Sequence, residues 1–131
     1  MQNKGNQLSW IVVKDLKKAV KFFTETLGLE LLVYDESCDG WAELGSKSAK
    51  DSARLGIASE SKETKEFNMH PGQNAIVCFT VDNLEKSRLE LMQKGVTLLG
   101  DIVEVPGEVK MQLIRDPDGN LFHITELLTK K

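Results

Sequence analysis

The chain has 131 residues and a formal net charge of -3, with 40% hydrophobic and 28% charged residues. This balance is typical of a globular protein, and this length suits one hydrophobic core, so we expect a single domain over residues 1–131. Lys and Arg are scattered among acidic residues, which argues against nucleic acid as a partner. No apolar run is long enough to span a membrane and residues 1–7 are polar, which predicts a cytoplasmic protein.

The two cysteines, Cys38 and Cys78, have neither a CxxC spacing nor neighbouring ligand residues. This pattern predicts reduced thiols in an intracellular protein and argues against a disulfide or a zinc site.

The first half of the chain predicts a strand, a helix and three more strands. Residues 8–13 form an apolar, β-branched run, typical of a strand buried on both faces. Apolar residues then recur at helical spacing, with Asp15 as the N-cap and Gly28 where the helix ends. About three helical turns fit between them. The following strands are predicted at 30–34, 41–44 and 54–58.

The second half repeats this order. Val81 and Leu84 reproduce Val13 and Leu16, each 68 residues further along the chain. A strand at 75–81, a helix from Leu84 towards Gly95, and strands at 97–99, 109–114 and 121–127 are predicted, with residues 116–119 as a tight turn. The repeats therefore cover 8–58 and 75–128. The polar linker 59–74 has one possible helical turn at 62–66.

These two units predict an α+β fold with two βαβββ repeats. One helix covers only one face of each four-stranded sheet, so we expect the curved sheets to enclose a shared groove with their other faces. Strand alternation directs Ser9, Ile11 and Val13 towards the helix. It directs the following residues into the groove: Leu8, Trp10, Val12, Ile76, Cys78 and Thr80.

Several sequence motifs together resemble the vicinal oxygen chelate superfamily. They are the VKDL sequence at 13–16, the LGL sequence at 27–29 and the DPDGN turn at 116–120. This group includes glyoxalase I, bleomycin-resistance proteins, fosfomycin-resistance enzymes and extradiol dioxygenases, and the resemblance covers roughly residues 8–128. It implies the same paired-repeat fold.

For metal-dependent members, the resemblance implies four ligand positions, which here are Leu8, Gly56, Ile76 and His123. Only the imidazole of His123 offers a lone pair to a divalent ion. We therefore expect no metal site and no cofactor, and the sequence identifies no catalytic residue.

The candidate ligand-binding residues are those expected to line the groove: Leu8, Trp10, Trp41, Arg54, Ile76, Cys78 and His123. His123 is interpreted as a hydrogen-bonding or proton-accepting group, as an ordinary groove residue, or as a lone metal ligand. The two tryptophans suit a planar or apolar ligand, with core packing as the alternative. Arg54 is either an anion-binding residue or part of an internal salt bridge.

Three further residues carry alternative interpretations. Gln7 would replace Leu8 as a ligand if the first strand were shifted by one residue, which would bury Trp10 against the helix. Glu43 is either a groove carboxylate or a solvated residue at a sheet edge. His70 either folds over the groove or lies exposed in the linker.

Two functions follow from these expectations. The first is a metal-free protein that binds an apolar or aromatic small molecule, as the bleomycin-resistance proteins do. The alternative is an enzyme of the lactoylglutathione lyase type, or another vicinal oxygen chelate enzyme, acting on a small carbonyl compound. We also expect a homodimer, since sheet edges and apolar rims favour burial across a two-fold axis.

Overall fold

The computed structural model describes residues 1–2, 7–37, 39–66, 68–74 and 76–128. The chain divides into two units, Met1–Gln73 and Asn74–Lys131. Cys38, which the sequence predicts to be a reduced thiol, lies outside the described residues. Along the described part of the chain, no helix is long and apolar enough to cross a membrane.

The first unit has the predicted βαβββ order. Its strands are β1 (Leu8–Val13), β2 (Glu30–Asp35), β3 (Trp41–Gly45) and β4 (Arg54–Ser59), and its helices are α1 (Leu16–Lys21) and α2 (Lys62–Glu66). The sheet order is β1-β4-β3-β2. The β1–β4 pair is parallel, while β4–β3 and β3–β2 are antiparallel.

The core of this unit lies between the sheet and α1, which packs on β3 and β4. Apolar side chains of β1 and the helix fill it, including Ile11, Val13, Leu16 and Phe23. Trp10 instead remains 44% exposed. Trp10 is therefore not buried against the helix, and the one-residue shift that would make Gln7 a ligand is wrong.

The first helix begins as predicted, with the Asp15 side chain accepting a hydrogen bond from the Lys18 amide. It then widens into a π-helical segment, Phe22–Thr26. The Leu27 amide donates to the Phe22 carbonyl five residues earlier, and the Thr24 hydroxyl donates to the Val20 carbonyl at 2.8 Å. The three predicted turns are thus present, but the second half is wider than an α-helix.

The second unit repeats the βαβββ order. It contains β5 (Val77–Thr80), α3 (Leu84–Gln93), β6 (Thr97–Val105), β7 (Val109–Arg115) and β8 (Leu121–Leu127). The sheet order is β5-β8-β7-β6, with β5 parallel to β8. Asn83 caps α3, which packs on β7 and β8. The α+β class and the paired βαβββ repeats are confirmed.

Strand β6 runs six residues past the predicted end at Leu99. Its ladder with β7 shifts register between Leu99 and Val103, around Gly100 at φ 71°. The buried Gln112 amide donates to the carbonyls of Leu99 and Gly100, both at 3.2 Å, and accepts from Arg88 at 2.9 Å. A β-bulge thus lets the strand continue through Gly100 and Asp101, residue types that are typical of a turn.

Strand β5 is shorter than predicted, beginning at Val77 instead of residue 75. Ala75 lies outside the described residues. The Asn74 side chain donates to the Leu121 carbonyl at 2.7 Å and accepts from the Leu121 amide at 2.9 Å. The Asn74 side chain therefore makes the hydrogen bonds to Leu121 that backbone groups of a longer β5 would make.

The turn between β7 and β8 is the predicted one. Asp116 accepts hydrogen bonds from the amides of Asp118 and Asn120 and from the Asn120 side chain. The Gly119 amide closes the turn on the Asp116 carbonyl at 3.0 Å. Burial raises the pKa of Asp116, and the bonds from Asn120 act in the opposite direction.

Alternation along β8 leads to a stability prediction. Phe122 is fully buried and Leu127 is 55% exposed, while His123 is half-buried. We expect Phe122→Ala to lower the free energy of unfolding by about 3–5 kcal/mol through the void it leaves. Leu127→Ala should change it by at most about 0.5 kcal/mol. Chemical denaturation followed by circular dichroism measures both.

The same experiment on His123→Ala tests the register of β8. A smaller loss than that of Phe122→Ala is expected, because the imidazole lies outside the core under α3. If His123→Ala unfolded the protein while Phe122→Ala did not, the register would be wrong.

Candidate functional site

Strand pairing in the first unit places the candidate residues on the sheet face opposite α1. Leu8 lies opposite Arg54, and Trp10 opposite Gly56. Glu43 pairs with Gly56 from the other side. Paired residues project from the same face of a sheet, so the pleat collects an aromatic and a charged group here. We call Trp10, Trp41, Glu43 and Arg54 the tryptophan cluster.

The two indole rings of this cluster contact each other across Gly56. Their centroids are 6.1 Å apart and the rings meet edge to face. A Cβ atom on residue 56 would lie 2.5 Å from Cη2 of Trp41 and 2.9 Å from Cβ of Trp10. The glycine is therefore required for the Trp41 ring to cross the sheet at this point.

Glu43 holds the cluster together. One carboxylate oxygen accepts a hydrogen bond from the Trp41 indole N–H at 2.9 Å, and the other accepts from Arg54 at 3.0 Å. These two bonds, from Trp41 first and then Arg54, lower the pKa of the Glu43 carboxyl. Of the two interpretations of Arg54, the internal salt bridge is present. The sheet-edge interpretation of Glu43 is wrong, because β3 lies between β4 and β2.

A cleft of about 400 Å³ opens beside the Trp10 ring. Its wall is formed by Trp10, Ile11 and Val12 of β1 and by a loop that follows α2. The residues contributed by the loop are Asn68, Met69 and Gln73. The volume is within the range of small-molecule sites in proteins.

The loop residues of this cleft were not identified from the sequence. Their segment is a polar linker without apolar periodicity, and the only signal there was His70. In the structure His70 is half-buried. It hydrogen-bonds Asn68 at 2.8 Å and lies 3.8 Å from Glu60. It thus braces the loop and is not a freely solvated residue.

The second unit brings Cys78 and His123 together. The two residues are paired between β5 and β8, and Sγ of Cys78 lies 3.9 Å from Nδ1 of His123. Cys78 is a free, exposed thiol. Ile76 precedes β5 and is 48% exposed.

The residues at the four implied ligand positions do not fit a metal ion. Leu8, Gly56 and Ile76 have no donor atoms in their side chains, and the Trp41 ring fills the space beside Gly56. Within the described ranges, no group of three or more His, Cys, Asp or Glu side chains is placed to hold a metal. One imidazole does not make a metal site.

Fold and motifs agree with a comparison against protein families. Residues 6–124 match the model of the Glyoxalase/Bleomycin resistance protein/Dioxygenase superfamily. The match spans nearly the whole chain, and the protein therefore belongs to this superfamily.

Individual relatives carry several functions. The chain is 32% identical to lactoylglutathione lyase from Schizosaccharomyces pombe over 82% of its own length, but it spans only 42% of that enzyme. It is 24% identical to the virulence protein STM3117 of Salmonella typhimurium, covering 88% of this chain and 79% of that protein.

Solved structures extend the comparison. TnmS3, an antibiotic binding protein from Streptomyces sp. CB03234, superposes with a TM-score of 0.77 at 25% identity, over 97% of this chain and 98% of its own. A superfamily member from Sphaerobacter thermophilus superposes with a TM-score of 0.75 at 24% identity, over 95% and 98% of the two chains.

The lowered pKa of Glu43 predicts a pH-dependent stability. A carboxyl whose pKa is lower in the folded state stabilises the protein at pH values above its pKa in the unfolded chain, near 4.5. This contribution is lost as the pH falls through the pKa of the folded state. We expect Glu43→Gln to lower the unfolding temperature at pH 7, with a smaller difference at pH 3. Thermal unfolding by calorimetry measures this.

Glu63→Gln is the matched control, because Glu63 is an exposed carboxylate on α2. It should leave the unfolding temperature unchanged at both pH values. An equal loss for Glu43→Gln at pH 7 and pH 3 would contradict a role for the Glu43 charge.

Proposed function

We propose that this protein binds a small apolar or aromatic molecule without a metal ion. The observation that carries the proposal is the exposed Trp10 ring at a cleft of about 400 Å³. An indole ring offers a large flat surface that loses little conformational freedom on binding. Met69, which also lines the cleft, has a flexible thioether that adapts to different ring shapes.

Polar groups beside the cleft would orient the ligand. Asn68 and Gln73 supply amide donors and acceptors at its rim. Arg54 lies on the same sheet face, two residues before the Gly56 that pairs with Trp10. It uses one guanidinium nitrogen for Glu43, which leaves other N–H groups for a ligand oxygen. We infer a ligand with a planar ring and at least one oxygen acceptor.

The remaining residues predicted to bind the ligand also stay part of this proposal, and they are Leu8, Trp41, Ile76, Cys78 and His123. The predicted single-domain organisation over residues 1–131 also stays a proposal. Homodimerisation is likewise a proposal, supported by the exposed apolar side chains of the edge strand β2, which are Leu31, Leu32, Val33 and Tyr34.

Relatives support binding as the function. TnmS3 is described as an antibiotic binding protein. It resembles this chain over nearly the full length of both, and this likeness supports a binding function for this sequence.

A fluorescence titration tests the proposal with 8-anilinonaphthalene-1-sulfonate, a planar aromatic anion. The probe should bind and quench Trp emission, because an aromatic ring on the exposed indole alters its excited state. We expect Trp10→Ala to weaken binding about tenfold, corresponding to about 1.4 kcal/mol.

Leu89→Ala is the matched control, since Leu89 is an exposed apolar residue of α3 remote in sequence from the cleft. It should leave the dissociation constant unchanged. Equal affinities for the parent and Trp10→Ala would show that the Trp10 cleft is not the site.

The alternative function is a lyase reaction, favoured by the resemblance to the Schizosaccharomyces pombe lactoylglutathione lyase. Such an enzyme would need a metal or an equivalent group to polarise a carbonyl. Since three of the four implied positions lack donor atoms, we expect no stoichiometric metal in the purified protein and no effect of chelators on its melting temperature.

Elemental analysis and a turnover assay decide between the two functions. The hemithioacetal of methylglyoxal and glutathione should not be converted, with or without added Zn²⁺ or Ni²⁺. Metal-dependent turnover would replace the binding proposal with the lyase.

A further inference from the structure

We propose that Cys78 and His123 form a nucleophile and base pair that captures soft electrophiles covalently. The chemical class is an α,β-unsaturated carbonyl compound, such as a quinone or an enone. The proposal uses only residues of the second unit and does not depend on ligand binding at the Trp10 cleft.

Strand pairing places the two groups side by side. Parallel pairing between β5 and β8 puts Cys78 directly beside His123 on one sheet face. The sulfur lies 3.9 Å from Nδ1 of the imidazole, within reach of a sulfur hydrogen bond. A thiol beside an imidazole can pass its proton to the ring, and the thiolate is the reactive form of cysteine.

Packing on the helix side of the sheet holds the pair in place. Phe122 and Ile124, on either side of His123 in the sequence, are buried under α3. Phe79, next to Cys78, stacks on Phe122 with centroids 5.5 Å apart. The Thr125 hydroxyl also donates to the Phe79 carbonyl at 3.3 Å. Both strands are therefore fixed, and the pair does not need to be assembled by an approaching reagent.

Access and local charge also favour the capture of an apolar electrophile. Cys78 is exposed, and the cross-strand neighbour of His123 on β7 is the apolar Leu113. Charged side chains of β7 and β8 are used on the helix side, where Lys110 binds Glu85 and Glu126 binds the Leu84 amide. On the side of the pair, Arg115 lies opposite Leu121 and donates to the Gly119 carbonyl. Such surroundings suit an apolar electrophile.

The reaction is an addition that needs no oxidant or reductant. Nδ1 of His123 takes the thiol proton, and the thiolate attacks the β-carbon of the conjugated alkene. A carbon–sulfur bond forms while the alkene π electrons move to the carbonyl oxygen as an enolate. The α-carbon then takes a proton from the imidazolium, so that the thiol and the alkene combine without loss of an atom.

The test uses N-ethylmaleimide as the electrophile and a Cys38→Ser protein, in which Cys78 is the remaining thiol. Intact-mass kinetics give the second-order rate constant. We expect one adduct at Cys78, formed about tenfold faster at pH 7 than on a peptide of residues 76–80. In the protein His123 takes the thiol proton, whereas only a few per cent of the peptide thiol is ionised at that pH. Cys78→Ser in the same background should give no adduct.

A second variant, His123→Gln, separates basicity from shape. At pH 7 it should lose about tenfold in rate, whereas at pH 10, where thiols are ionised without help, it should match its parent. Thr80→Ala, an exposed change on the same strand and face, should retain the parent rate at both pH values.

Two results would overturn the proposal. One is an equal rate at pH 7 for His123→Gln and its parent, or for the parent and the peptide. The other is a loss that persists at pH 10, which would mean that His123 acts on access or folding. The maleimide rates are measured on Cys78 and His123 variants and the probe titration on Trp10→Ala, so failure of this proposal and failure of the binding proposal are distinguishable.

Discussion

The parallel pairing of the first and last strands of each repeat is the constraint on which the candidate sites depend. In both units the chain leaves the first strand, crosses over through a helix, and returns so that the final strand lies beside the first. This pairing puts Trp10 next to Gly56 and Cys78 next to His123, although each pair is separated by more than forty residues. Crossover topology, rather than local sequence, therefore creates both clusters.

The two repeats place different side chains on the same scaffold. In the first, the face opposite the helix carries indole rings and an ion pair that fixes one of them. In the second, the corresponding face carries a thiol and an imidazole. Duplication thus gives two sheets of the same topology different sets of exposed side chains, and function depends on such side chains rather than on the fold that carries them.

Much of this was predictable from the sequence, since hydrophobic periodicity and capping residues are local signals. The N-cap Asp15, the helix that begins at Leu84 and strand β8 follow from period and cap alone. The bulge in β6 did not follow, because it depends on a hydrogen bond from Gln112 on another strand. The walls of the Trp10 cleft, Asn68 and Met69, were also missed, since no periodic pattern marks a loop.

The contact between Gly56 and Trp41 also constrains how this protein can change. A glutamate at residue 56 would begin with a Cβ atom 2.5 Å from the indole ring, so one substitution could not restore that ligand position without expelling the ring. Removing the ring first would leave Glu43 without its indole donor. Each single step towards a metal site therefore passes through a less stable intermediate, and the residues at 41, 43 and 56 are expected to vary together among relatives or not at all.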